Sequence, residues 1–385
     1  MKGRIYCILI FYFFLLIGTH AQGIHVGAER IELYGELLNN KRIGLVVNHT
    51  SRAFNGHLLD FLISRGYKIV KIFAPEHGLR GSEDAGKHIE NMIDEKTGIP
   101  VFSLYGSSRK PDDQQMSEID IIIFDIQDVG VRFYTYISTM HYMMEACAEN
   151  DIEMVIFDRP NPNGDYVDGP VLRREFKSFV GMHSIPVVHG LTVGELANMI
   201  NGERWLSDGI QCKLHVIPVE NYHHNYQYSL PERPSPNLPN DLSVRLYPSL
   251  CLFEGTMMSV GRGTEFPFQV VGYPDESFGD FIFTPSSVSG ASNPKYMDQK
   301  CYGKDFRDLQ MKPKFSISYV IEFYYKSGRD DQFFNQYFNK LIGNDELIEQ
   351  IRAGLTEEEI RISWLEELNL YKNIRKKYLL YPDFE

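Results

Sequence analysis

Lys68-Ile69-Val70-Lys71-Ile72-Phe73-Ala74-Pro75-Glu76-His77-Gly78-Leu79-Arg80-Gly81 holds the decisive change of character in this 385-residue chain. Its β-branched and aromatic run, Ile69–Phe73, predicts a buried strand. Pro75 and Gly78 then punctuate a loop. A carboxylate, an imidazole and a guanidinium (Glu76, His77 and Arg80) are packed into that loop. Open parallel sheets present ligands at the carboxyl ends of their strands. Glu76 is therefore the leading candidate for a catalytic acid, with His77 beside it. The competing structural role for Glu76 is to cap a following helix and pair with Arg80.

Outward from this strand, similar apolar runs recur at Ile43–Val47, Val101–Leu104, Ile119–Phe124 and Met154–Phe157. Helical patterns fall between several of them, at His57–Arg65 and Tyr134–Ala148. Strands alternating with helices imply an α/β fold with a parallel sheet. Continuously apolar strands imply that both faces of that sheet are covered. Every strand of a parallel sheet ends at the same edge. Asn48, Glu76, His77, Asp125, Asp128, Arg132, Arg159 and Asn161 are thus expected to converge on one rim. Asp125 and Asp128 suit a metal pair, a second acid/base group or loop caps. Arg132 can reach the rim or pair with Asp128. No G-x-G-x-x-G opens a helix after the first strand, which argues against dinucleotide binding. The twelve His include no H-E-x-x-H. A zinc site from His49, His77 and His189 would lack ligand spacing, so no metal or other cofactor is expected.

In the second half, His189-Gly190 precedes the capping box Thr192-Val193-Gly194-Glu195, which predicts a helix over Glu195–Asn201. Pro231–Asn240 reads as an irregular loop. Glu254 and Arg262 lie among glycines, where backbone can approach a ligand closely. From Phe315 the pattern becomes helical. Asp331–Leu341 places Phe333, Phe334, Tyr337, Phe338 and Leu341 on one face. A second capping box, Thr356 to Glu359, opens a stripe of Ile360, Trp364, Leu365, Leu368 and Tyr371 that ends at Arg375-Lys376-Lys377. Acid at the start and base at the end suit the helix dipole.

The chain starts with Lys2 and Arg4, an apolar run Ile5–Ile17 and small residues at Thr19 and Ala21. Residues 1–22 are thereby expected to be a secretory signal peptide, since the apolar run is short for a membrane span. Export to the periplasm or beyond, with no stable membrane insertion, follows as an expectation. The formal net charge is −12, which makes nucleic acid a poor partner. Of five Cys, Cys7 lies in the signal segment. Cys147 sits in an apolar helical pattern and reads as a buried thiol.

Seven stretches together carry a resemblance. They are Ala74–Gly81, Phe124–Tyr136, Asp158–Pro162, His189–Ala197, Glu254–Thr256, Ser259–Thr264 and Arg375–Tyr381. The mature chain resembles the exo-β-N-acetylmuramidase family called NamZ. The resemblance implies a Rossmann-like parallel-sheet domain over residues 23–180. A second α/β domain with a helical carboxyl terminus would follow over residues 181–385. It further implies a cleft between them that releases terminal N-acetylmuramic acid from peptidoglycan fragments, with Glu76 as the acid. The partners would then be muropeptides or N-acetylmuramyl–glucosaminyl fragments. Glycoside hydrolysis takes two carboxyl groups, and Asp125, Asp128 and Glu254 are the candidates for the second. Asn48, Arg80, Arg132, Tyr136, Arg159, Asn161, His189 and Arg262 are the expected substrate contacts. Arg132 or Arg262 would pair with the lactyl carboxylate that distinguishes a muramic from a glucosamine residue. Two other classes remain open: a non-catalytic peptidoglycan-binding protein, and a metal-dependent hydrolase using Asp125, Asp128 and His77.

Overall fold

Apolar runs without polar alternation are stable as strands only where helices cover both faces, and the first half of the chain folds that way. The structure is a computed structural model that describes residues 23–76, 78–79, 92–106, 109–309 and 312–385. The proposed signal segment 1–22 lies outside the described residues, as do His77 and Arg80. Seven strands form the main sheet: β1 (Arg42–Val47), β2 (Lys68–Ala74), β3 (Met92–Ile93), β4 (Pro100–Ser103), β5 (Ile121–Asp125), β6 (Glu153–Phe157) and β7 (Lys213–Ile217). Their order is β3-β4-β2-β1-β5-β6-β7. All pairings are parallel except β3 with β4. Leaving aside the short edge strand β3, the order is that of a doubly wound dinucleotide-binding sheet. The glycine fingerprint of that site is nonetheless absent from the sequence. The expected α/β class is the one observed.

Register aligns the rim. Val46 pairs with both Phe73 and Phe124, Phe73 with Phe102, and Phe124 with Ile156. The segments after β1, β2, β4, β5 and β6 therefore leave the sheet along one edge. Alternation of side chains across the strands divides the apolar residues between two cores. Ile43, Leu45, Ile72, Ile121 and Ile123 pack with Leu58, Leu59 and Leu62 of α1 (Leu58–Ser64). Val46, Phe73, Ile122 and Phe124 pack instead with α2 (Tyr136–Glu149) and α3 (Val193–Gly202). The capping box at Thr192 and Glu195 forms as the sequence predicts, so α3 starts at Val193. The sheet takes β7 from beyond residue 180, so it extends further along the chain than the domain break placed there.

The second half begins with α4 (Asp241–Leu250) and a three-stranded antiparallel sheet, β8 (Val270–Tyr273), β9 (Phe281–Phe283) and β10 (Cys301–Asp305), ordered β8-β10-β9. Four helices follow: α5 (Ser318–Lys326), α6 (Tyr337–Ile342), α7 (Glu346–Arg352) and α8 (Glu357–Arg375). The helix expected over Asp331–Leu341 is real only from Tyr337. Phe333 and Phe334 are drawn into strand-like pairing instead: the Met257 N–H donates to the Phe333 carbonyl, 2.8 Å, and Phe334 bridges Thr256. The second capping box opens α8, with Glu357, Glu358 and Glu359 in its first turn and Lys372 and Arg375 in its last. Cys147, Cys212, Cys251 and Cys301 are buried free thiols. Among the described residues no helix is long and apolar enough to cross a membrane.

Candidate active site

Beyond the carboxyl end of β2 the chain turns sharply. Gly78 donates its N–H to the Pro75 carbonyl, 3.0 Å, at φ +72°, a conformation that favours glycine. This turn sets the Glu76 side chain against the start of α2. There Thr135 Oγ1 donates to Glu76 Oε2, 3.2 Å, and the Tyr136 hydroxyl approaches the Glu76 carbonyl, 3.5 Å. The amino end of a helix is a favourable place for a carboxylate.

Glu76 faces a cavity of about 380 Å³ formed by both halves of the chain, within the range of small-ligand sites. Tyr134, Tyr136 and Tyr247 line one wall, their rings edge-to-face at 4.9 and 5.9 Å. The Tyr134 hydroxyl is anchored on the Pro234 carbonyl, 2.6 Å. Flat aromatic walls with polar tips suit the mixed surface of a sugar ring. Glu254, from the turn Cys251–Gly255, also lines the cavity. Its Oε1 accepts from Arg262 Nε at 3.0 Å, and Arg262 lies 4.9 Å over the Phe268 ring. Tyr337, the first residue of α6, lines the same cavity. Burial raises its hydroxyl above the ordinary range, and Cys251, Glu254 and Glu76 all push it further.

The other expected site residues have different work. Asp125 and Arg159 form a fully buried bidentate pair, 2.6 and 2.8 Å, and Arg159 also donates to the Arg52 carbonyl. A buried pair holds only with both partners present, so Asp125 is committed to Arg159, and it does not line the cavity that holds Glu76. Asp128 accepts from the Gly130 N–H, 2.7 Å, and lies 3.7 Å from His189 Nε2. Asn48 shapes its own loop by accepting from the Thr50 N–H and hydroxyl, 2.9 and 2.6 Å. Asn161 donates to the Leu191 carbonyl and accepts from the Asn163 N–H. Polar side chains of the protein itself thus line the strand ends at β1 and β5, where the strand order reverses.

Arg132 overturns its expected role most clearly. It is fully buried, and its terminal nitrogens donate to the carbonyls of Pro170, Ile185, Leu341 and Ile342 at 2.7–2.8 Å. Burial pulls its guanidinium down to about 9, which still leaves it charged at neutral pH. It neither pairs with Asp128 nor lines the cavity. Of the expected residues, the structure brings Glu76, Tyr136, Glu254 and Arg262 together around the cavity. It keeps Asn48, Asp125, Asp128, Arg132, Arg159, Asn161 and His189 in the surrounding scaffold. His49 bonds the Arg233 carbonyl, 2.7 Å. Among the described residues, no group of three or more His, Cys, Asp or Glu is gathered to hold a metal ion. Sequence reasoning missed Arg109, Thr135, Phe179, Tyr247, Tyr337 and Lys340, all of which line the cavity. Tyr337 was visible only as part of an apolar stripe, and nothing in the local sequence singled out Arg109 or Lys340.

Two family models together cover most of the chain: "Exo-beta-N-acetylmuramidase NamZ, N-terminal" over residues 43–242 and "Exo-beta-N-acetylmuramidase NamZ, C-terminal" over residues 245–381. The chain is 38% identical over 374 residues to the peptidoglycan beta-N-acetylmuramidase NamZ of Bacillus subtilis, covering 90% of this chain and 89% of that protein. It also superposes on two crystal structures of DUF1343 family proteins from Bacteroides fragilis. One matches with a TM-score of 0.88 at 46% identity, covering 94% of this chain and 100% of the other. The second has a TM-score of 0.79 at 29% identity, covering 93% and 99%. With both family models matched in order and a relative this similar along nine-tenths of its length, the chain belongs to the NamZ exo-β-N-acetylmuramidase family.

Proposed function

We propose that this protein is an exported, exo-acting β-N-acetylmuramidase that removes terminal N-acetylmuramic acid from peptidoglycan fragments during cell-wall turnover. The observation that carries this is the placement of Glu76. Its carboxylate sits at the amino end of α2, in an aromatic-walled cavity that also contains the Glu254 carboxylate. Most glycoside hydrolases use two carboxyl groups flanking the scissile bond. In this mechanism Glu76 gives its proton to the leaving glycosidic oxygen, and Thr135 Oγ1 fixes the carboxyl's orientation. Glu254, positioned by Arg262, serves the opposite face of the sugar ring as nucleophile or as base for water. Tyr134, Tyr136 and Tyr247 supply the apolar surface on which the pyranose rests.

The test is incubation of the purified protein with a chromogenic β-N-acetylmuraminide beside the matching glucosaminide. Release from the muraminide is expected. Turnover of neither substrate, with the protein folded, would remove the proposal.

A further inference from the structure

Resting on that reading, we propose that Arg109, which lies over the Phe179 ring in the cavity that Lys340 also lines, is the group that reads the lactyl carboxylate of the terminal muramic residue. Among the described residues, the cations near the site leave few alternatives. The Arg132 guanidinium is spent on four backbone carbonyls outside the cavity. Arg262 lines the cavity but is already neutralised by Glu254 at 3.0 Å. Arg109 and Lys340 line the same cavity as Glu76, and neither has a carboxylate partner among the described residues.

Arg109 is also oriented for the task. Its guanidinium lies 4.4 Å from the centre of the Phe179 ring. Phe179 is in turn stacked on Tyr142, with ring planes 12° apart, and meets Tyr105 edge-on. The Phe179 carbonyl accepts from Ser138 Oγ, 2.7 Å, which pins this segment to α2. A guanidinium held over an aromatic ring by cation–π attraction still has N–H groups to offer, and its planar fork matches the two oxygens of a carboxylate. Lys340 adds a point charge and no such geometry. A glucosamine residue brings no anion to this corner of the cavity. A muramic residue whose lactyl group is amide-linked brings the same shape without the charge.

The experiment compares three chromogenic substrates with the purified full chain: the β-N-acetylmuraminide with a free lactyl carboxylate, its lactyl amide, and the β-N-acetylglucosaminide. The wild type should favour the free acid over the amide by about 10- to 100-fold in kcat/KM, the range of one charge-assisted contact. Arg109→Gln should collapse that preference to a few-fold, mostly through KM, because the contact is present in ground and transition states alike. Arg109→Lys should recover part of it. The proposal is overturned if the wild type does not distinguish acid from amide. It is also overturned if Arg109→Gln slows all three substrates by one common factor, or if Lys340→Ala alone abolishes the preference. Hydrolysis of none of the three by the wild type would instead sink the glycosidase reading, an outcome separate from any effect of Arg109.

Discussion

Replacing Arg132 by Met should unfold this protein more readily without changing which substrate it prefers. The side chain is wholly buried, and its two terminal nitrogens donate to four carbonyls; those of Pro170, Leu341 and Ile342 rely on it, while that of Ile185 also accepts from the Leu172 N–H, 3.1 Å. Met fills similar space but donates nothing. Each buried acceptor left without a donor costs about 1–3 kcal/mol, so three such acceptors give a loss of roughly 3 kcal/mol even at the low end, the upper part of the usual range for single substitutions. The cost concentrates where residues 170–185 meet the end of α6, because the guanidinium holds both. Gly343, just after α6, has φ +86°, and a Cβ there would lie 2.9 Å from Arg132 Nη2. Arg132→Lys should fall between, since one ammonium cannot serve four carbonyls from two nitrogens. Urea unfolding followed by circular dichroism measures the loss, and the acid-to-glucosaminide rate ratio at low temperature measures specificity. A destabilisation below about 1 kcal/mol, or a changed rate ratio with stability intact, would refute the structural role assigned to Arg132.

Glu76→Gln should lower turnover by about 10²–10⁴-fold, the usual loss for a general acid, with an unchanged unfolding curve; near-normal turnover on the muraminide would displace Glu76 from that role. Burial alone would raise the Glu145 carboxyl, but His141 and the Ser207 hydroxyl and N–H hold it down to about 2, against an ordinary 4.5. The stability this provides is complete above pH about 4.5 and drains away as pH falls toward 2, so Glu145→Gln should flatten the acid limb of stability against pH, which urea midpoints at pH 3 and pH 7 would show. Gly130→Ala should cost more than about 2 kcal/mol, because φ is +76° and a Cβ would overlap the Asn161 amide; a thermal melt matching the wild type would contradict that packing.

What the sequence determined by itself was local and periodic. Five β-branched runs were enough to imply a parallel sheet, because continuous apolarity has no stable home except between two covered faces. Thr192 with Glu195 and Thr356 with Glu359 fixed two helix starts, because a capping box satisfies its own backbone donors. Glu76 stood out because a polar loop follows an apolar strand, and that contrast survives folding. The tertiary structure alone decided which rim residues face the cavity. Asp125 and Arg159 look as available as Glu76 in the sequence, yet they find each other across neighbouring strand ends, and a charge inside a protein takes the nearest opposite charge. Arg132 meets carbonyls contributed by residues 341 and 342, a pairing across more than 200 positions that no local pattern encodes. Tyr337, Lys340 and Arg109 line the cavity only because α6 packs against the turn at 251–255 and the loop after β4. The strand edge could be read along the chain. The far wall of the site is made by distant segments whose meeting depends on long-range packing, so it became visible only in three dimensions.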